Sequence, residues 1–262
     1  AEKQAFLGKI STTELQKNSL KCVDSAAQAE VCLLPKEGAW TLTNPGDHRP
    51  LTAPVAFHEP EKLLSQLKSI SRWAFAKNLQ KNPASEIPDE AFDIRISQNG
   101  QVVFPENDGS YTLALPEKNK AGQPAGRLEI HLTNGAAEPL YFGLAYLASL
   151  FAIETSLFWD KPYTVRQLEP GNSHEKILAL SLENYISEFN WQAEQCHFLV
   201  IAAASEFSLE LLEQEDLQEP VKSKNLETYR GISTLSKNAA LKPEDWKTCL
   251  LTFNIVNPAY RA

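Results

Sequence analysis

From residue 91 onward, apolar and polar side chains alternate one for one, and this period of two constrains the fold more than any other feature of the chain. Phe92, Ile94 and Ile96 alternate with Asp93, Arg95 and Ser97, and Leu128, Ile130 and Leu132 alternate with Arg127, Glu129 and His131. Successive side chains of a strand point to opposite faces, so both stretches read as strands with one face in a core and one in water. His131 falls on the polar side and reads as a solvated strand residue. Between the two, Asn99-Gly100 is a strong hairpin signal, because a type I′ turn needs positive φ at both central residues. Val102-Val103-Phe104 is then the return strand, Tyr111 to Leu115 a further strand, and Lys118 to Gly126 a polar loop.

The same reading extends over the rest of the chain. Pro139 to Ala148 is apolar on both faces and predicts a central strand. Phe151 to Ile153, Ser156 to Trp159 and Thr164 to Arg166 predict shorter strands, a turn at Pro170–Ser173 leads into Ile177 to Leu182, and His197 to Ala204 predicts another buried strand. Trp246 to Val256 predicts the last one, with Cys249, Leu251, Phe253 and Ile255 on one face. Upstream, Glu30 to Leu34 and Ala39 to Thr43 are strands separated by a turn at Pro35-Lys36-Glu37-Gly38, and Arg49 to Val55 is extended. Two stretches read as helices. Glu59 to Lys81 carries Leu63, Leu67, Ile70 and Ala74 at spacings of three and four, opens on Pro60 and stops at Asn82-Pro83. Ser205 to Leu217 predicts a short acidic helix with Ser205 as N-cap and Phe207, Leu211 and Leu212 inward. Residues 218–242 are polar, a loop with some helix.

The expected fold is therefore mainly β with a few helices: an antiparallel β-sandwich with a long amphipathic helix at about 59–81 packed on a sheet. Residues 1–90 would hold the N-terminal strands and that helix, and 91–262 the sandwich, as two domains or one continuous domain. Trp73 and Trp246 are expected to be largely buried packing residues.

Composition excludes several functions. With 43% hydrophobic and 22% charged residues the chain is neither disordered nor collagen-like. No apolar run reaches the roughly 20 residues of a membrane helix. A net charge of −8 disfavours nucleic acid, and the basic stretches Lys77 to Lys81 and Lys118 to Lys120 are short and lie near carboxylates. The chain opens Ala-Glu-Lys-Gln without an initiator methionine, which fits a processed chain or an excised fragment; it contains no methionine elsewhere, and no signal peptide is visible at this start.

No catalytic, cofactor or metal motif is complete. The cysteines at 22, 32, 196 and 249 show no C-x-x-C spacing, so zinc is not expected and the thiols read as reduced, in a cytoplasm. Cys22 and Cys32 flank a predicted turn and would face each other across a hairpin, the one disulfide to check. Cys196-His197 is the only adjacent nucleophile and base, but neighbours on a strand point to opposite faces. Pairing of Cys196 with His174 or His131 stays open. Glu206, Glu210, Glu213, Glu215, Asp216 and Glu219 form a carboxylate-rich run without the glycine of a calcium loop, read as a solvated face. No catalytic residue, cofactor or metal ligand is therefore assigned.

Several stretches resemble a known family in their order and spacing. They are Trp40 to Leu51, the helix with Ser71-Arg72-Trp73, Asn82 to Ser85, Glu138 to Leu147, Phe207 to Leu212, and Asp245 to Thr248. From about residue 30 to 256 the chain resembles the non-catalytic C-terminal region of bacterial caspase-like proteins. Caspase-like peptidases use a His followed by Gly and a Cys in a short motif; none of the five histidines here precedes a glycine. The resemblance implies an accessory or regulatory segment, one that recognises substrate or restrains the peptidase through protein contact. The partner would be a peptidase domain in the same chain or another. Two competing readings are a stand-alone interaction protein, substrate or inhibitor in a protease-based bacterial defence system, and a cysteine enzyme using Cys196 or Cys249.

Overall fold

The computed structural model describes residues 20–23, 25, 28–46, 48–79, 84–120, 122, 124–218, 231–234 and 245–260. The Asn82-Pro83 stop, Glu219 and much of the 218–242 loop lie outside them. In chain order the first strands are β1 (Leu20–Val23), β2 (Val31–Lys36), β3 (Ala39–Thr43) and β4 (Val55–Ala56), followed by helix α1 (Pro60–Lys77). Next come β5 (Phe92–Gln98), β6 (Gln101–Val103), β7 (Ser110–Leu113), β8 (Glu117–Lys118), β9 (Pro124–Asn134) and β10 (Leu140–Leu147). β11 (Ile153–Glu154), β12 (Arg166–Leu168), β13 (Ser173–Ser181), helix α2 (Asn184–Glu188), β14 (Ala193–Ala203), β15 (Gly231–Thr234) and β16 (Trp246–Val256) complete the series. The protein is mainly β with few helices. No helix among the described residues is long and apolar enough to cross a membrane.

Two compact units form, and the first is not contiguous in sequence. It draws on Ala1–Ala76, Leu150–Ala152 and Gln214–Ala240, and the second on Lys77–Ser149, Ile153–Glu213 and Leu241–Ala262. In the first unit the sheet order is β1-β15-β2-β3-β4. Leu33 and Leu42 of this sheet share one apolar cluster with Leu63, Leu64, Leu67 and Ile70 of α1 and with Phe151. Each such side chain contributes about 1.5–3 kcal/mol on burial, which is what orders a helix whose own propensity is marginal. Pro60 occupies the first helical position, and α1 ends at Lys77, short of residue 81. Trp73 is half-buried and meets Phe151 edge-on at 5.4 Å.

The second unit holds two sheets. One has the order β11-β10-β14-β16-β7 with β12 also on β10; the other has the order β13-β9-β5-β6 with β8 on β9. Their ladders are antiparallel except β16 with β7, which run parallel, Phe253 beside Tyr111. That pair stacks, ring centroids 5.3 Å apart. Phe92 of β5 meets Phe142 of β10 edge-on at 6.3 Å, so the two sheets touch through aromatic side chains. β10, predicted central, has partners on both sides. The Asn99-Gly100 turn has φ of 50° and 79°, and pairs Ser97 with Val102 as a two-residue hairpin should.

Several expectations are corrected, among them the strands at Phe151–Ile153 and Thr164–Arg166, which are displaced to β11 and β12. Residues 205–217 form no helix: the Ser208 hydroxyl accepts the Glu210 N–H, a local bond that competes with the helical ladder. Leu209 and Leu212 are buried there, while Leu211 is 80% exposed. Ser156 to Trp159 is a turn, although Phe158 and Trp159 are buried. The first hairpin turns later than predicted: β2 continues through Pro35 and Lys36, and Glu37-Gly38 takes the positive φ values. Within 218–242, residues 231–234 are strand β15. Trp246, expected to be largely buried, is half-buried, as Trp73 is.

β15 also corrects the cysteine expectation. It lies between β1 and β2, opposite Cys22 on one side and Cys32 on the other. Strands two places apart are roughly 9–10 Å apart, beyond the reach of a disulfide. All four cysteines are thiols.

Candidate functional site

Cys196 and His197 both lie on β14, with consecutive partners Phe253 and Thr252 on β16, so their side chains leave opposite faces of the sheet. Cys196 is buried and bonded to the Tyr146 hydroxyl, and burial pushes its thiol up to about 12. The His197 ring is buried, its Nδ1 3.0 Å from Thr252 Oγ1. Burial, with the positive charge of Lys77, lowers it to about 3. At neutral pH the pair is a protonated thiol and a neutral imidazole on separate faces, which is neither an ion pair nor a dyad.

The other candidate partners are committed elsewhere. His174, on β13, packs against Trp159 at 4.5 Å and Phe158 at 5.1 Å, and its ring bonds the Phe158 backbone. Burial, then the nearby Arg166, holds it below the usual histidine range. His131 stands on β9 between Glu175 of β13 and Arg95 of β5, half-exposed as its place on the polar side predicts. Cys249 is half-buried on β16 beside Tyr111.

The carboxylate run does not converge on a cation. Glu206, Glu210, Glu215 and Asp216 are exposed, whereas Glu213 accepts the Thr155 N–H at 3.0 Å and the Thr155 hydroxyl at 2.5 Å. No group of three or more His, Cys, Asp or Glu among the described residues is set to hold a metal ion.

A buried polar chain escaped the sequence reading. Ser149 Oγ donates to Glu194 Oε1 at 2.5 Å, leaving the Tyr185 hydroxyl to donate to Ser149 Oγ at 2.8 Å. The other Glu194 oxygen accepts the Glu183 N–H at 3.2 Å. This arrangement satisfies a buried carboxylate and ties the end of β10 to α2 and to the start of β14. No motif could have found it, because its members come from three separate stretches.

What remains is a surface. Val102 on β6 is 49% exposed and Phe104, two positions on, is 77% exposed. The hairpin that carries them is clamped. Asn99 exchanges bonds with Arg127, its N–H donating to the Arg127 carbonyl and its Oδ1 accepting the Arg127 N–H, both at 3.0 Å. The Gln98 amide bonds both the N–H and the carbonyl of Ala114. On the far side of Phe104, the Glu106 N–H donates to the Ser110 carbonyl at 2.7 Å and Glu106 also bonds the Thr112 hydroxyl. An apolar aliphatic–aromatic pair is thus held in water by bonded segments on both sides. At the other edge of the same sheet, Ile177 of β13 is 47% exposed.

No family model matches the chain, and no curated protein does. Among solved structures, the ASH / PapD-like domain 7 of human CEP192 is similar at 8% identity, with 69% of this chain and 94% of that one covered, at a TM-score of 0.29. The CARDB domain of the Pyrococcus furiosus protein PF1109, in complex with di-metal ions, is similar at 9% identity, with 65% and 99% covered, at a TM-score of 0.19. At these scores neither carries an argument about fold or function.

Proposed function

We propose that this chain is an accessory region of a bacterial caspase-like protein that works by protein contact and leaves peptide cleavage to a separate peptidase domain. The observation that carries the reading is the exposed Val102–Phe104 pair on a hairpin fixed at its turn and beyond its return strand. Aromatic side chains presented on rigid scaffolds are the usual anchors of protein interfaces, because little order is lost on binding. The inertness of Cys196 and His197 supports the same reading, and so does the resemblance to the non-catalytic caspase-like region. We read the second unit as a β-sandwich, on the Phe92–Phe142 contact between its sheets, and the first as a sheet covered by an amphipathic helix.

The test is co-purification of the chain with a separately expressed caspase-like domain. Wild type is expected to be retained, and the double variant Val102→Ser, Phe104→Ser to lose about tenfold or more in affinity, the loss typical of an aromatic anchor. Equal retention of both proteins would remove this surface from the account, and retention of neither would remove the peptidase partner.

A further inference from the structure

Among the described residues, strand β13 ends the order β13-β9-β5-β6, so one side of it faces away from the sheet. It pairs with β9 without a break from Ser173 to Ser181, nine residues against a mean strand of about 5–6. Native sheets blunt long edges with proline, bulges or inward charges, since an open ladder recruits other strands. β13 has no proline and no bulge, and its inward lysine, Lys176, is already paired with Asp160. Its outward positions are Glu175, Ile177 and Ala179, all exposed.

We propose that β13 pairs antiparallel with β13 of a second copy, joining two chains into a dimer through one continuous sheet. A register centred on Ile177 lets the strand pair with its own copy over its whole length. With Ile177 on the two-fold axis, Ser173 faces Ser181 of the second copy, His174 faces Leu180, Glu175 faces Ala179 and Lys176 faces Leu178. All nine positions pair and no like charges are opposed. Moving the centre one residue toward the N-terminus sets Lys176 against itself, and a further step sets Glu175 against itself. The centred register also brings two half-exposed isoleucines together, removing apolar surface from water where each chain alone leaves it exposed. An isologous contact of this kind closes at two copies and does not propagate. The proposal concerns the opposite edge of the sheet from the Val102–Phe104 surface and stands or falls independently of it.

Sedimentation equilibrium of the full chain over a wide concentration range reads the association directly. A monomer–dimer equilibrium is expected, and Ile177→Lys should weaken it about tenfold or more by placing two ammonium groups on the axis and removing the apolar pair. The register is read separately by mild oxidation of Ile177→Cys and Ala179→Cys, each against wild type. Only Ile177→Cys places a thiol opposite its own copy, so only it should yield a linked dimer above the wild-type background. A chain that stays monomeric throughout, or equal linking by the two variants, overturns the proposal.

Discussion

At the scale of single residues, the chemistry of the chain is set by burial. His197 is neutral in the fold because its environment holds it near 3, against 6.5 for an ordinary histidine. The unfolded chain therefore takes up the proton first as pH falls. The stability tied to the neutral ring is present above about 6.5 and is lost progressively toward pH 3. His197→Gln keeps a partner for Thr252 and cannot titrate there, so urea unfolding between pH 7 and pH 4 should show a shallower acid loss for the variant. An unchanged slope would mean that His197 does not drive it. Cys196 has the opposite sign: with its thiol near 12 in the fold and 9.0 as the ordinary value, stability falls as pH rises past about 9. At pH 8, a maleimide should label the exposed Cys22 and spare Cys196 until the chain is unfolded. Rapid labelling of Cys196 in the native protein would reopen the cysteine-enzyme reading.

At the scale of elements, legibility depended on how local the determining interaction is. The alternation in β5 and β9 and the Asn99-Gly100 turn specify strand, face and register within a few residues, and the structure follows them closely. In the 205–217 segment the spacing of Phe207, Leu211 and Leu212 fits a helix, while the Ser208 hydroxyl and the Glu213–Thr155 bonds hold it otherwise. Gly143 makes the consequence visible. A Cβ there would lie 2.9 Å from Phe207 and 3.1 Å from Leu209, so the segment is packed directly on β10. The pairing of β1 with β15 was out of reach, since it joins residues about two hundred positions apart. Asn134 is a similar long-range device: buried at the end of β9, it donates to the carbonyls of Glu138 and Leu168 and accepts the Ala136 N–H. Asn134→Ala leaves these three backbone groups without that partner and should cost about 2–4 kcal/mol in chemical denaturation. A loss under about 0.5 kcal/mol, within the range of an ordinary surface change, would show that water replaces the amide.

At the scale of the whole molecule, sequence showed a β protein, but not that its first unit gathers three separated stretches of chain. The candidate surface was half legible: the sequence predicts a return strand over Val102–Phe104, but that β6 lies at the edge of its sheet and stops at Val103, with Val102 and Phe104 both exposed, only the structure reveals. Gly135 ties part of the second unit together at close quarters, because a Cβ there would sit 2.0 Å from the Glu90 carbonyl oxygen. Gly135→Ala should therefore lower stability by more than about 1–3 kcal/mol, with the β9–β10 connection forced away from residues 89–91; thermal unfolding at the wild-type temperature would contradict it. The proposed function has this chain contribute contact and leave cleavage to another domain. It is tested most directly by peptidase turnover of a separately purified caspase-like domain, measured alone and with increasing amounts of this chain. No cleavage by the chain alone is expected, and a saturable change in turnover when the two are mixed. Cleavage by the chain alone that thiol alkylation abolishes, or a domain indifferent to the chain at every concentration, would contradict it.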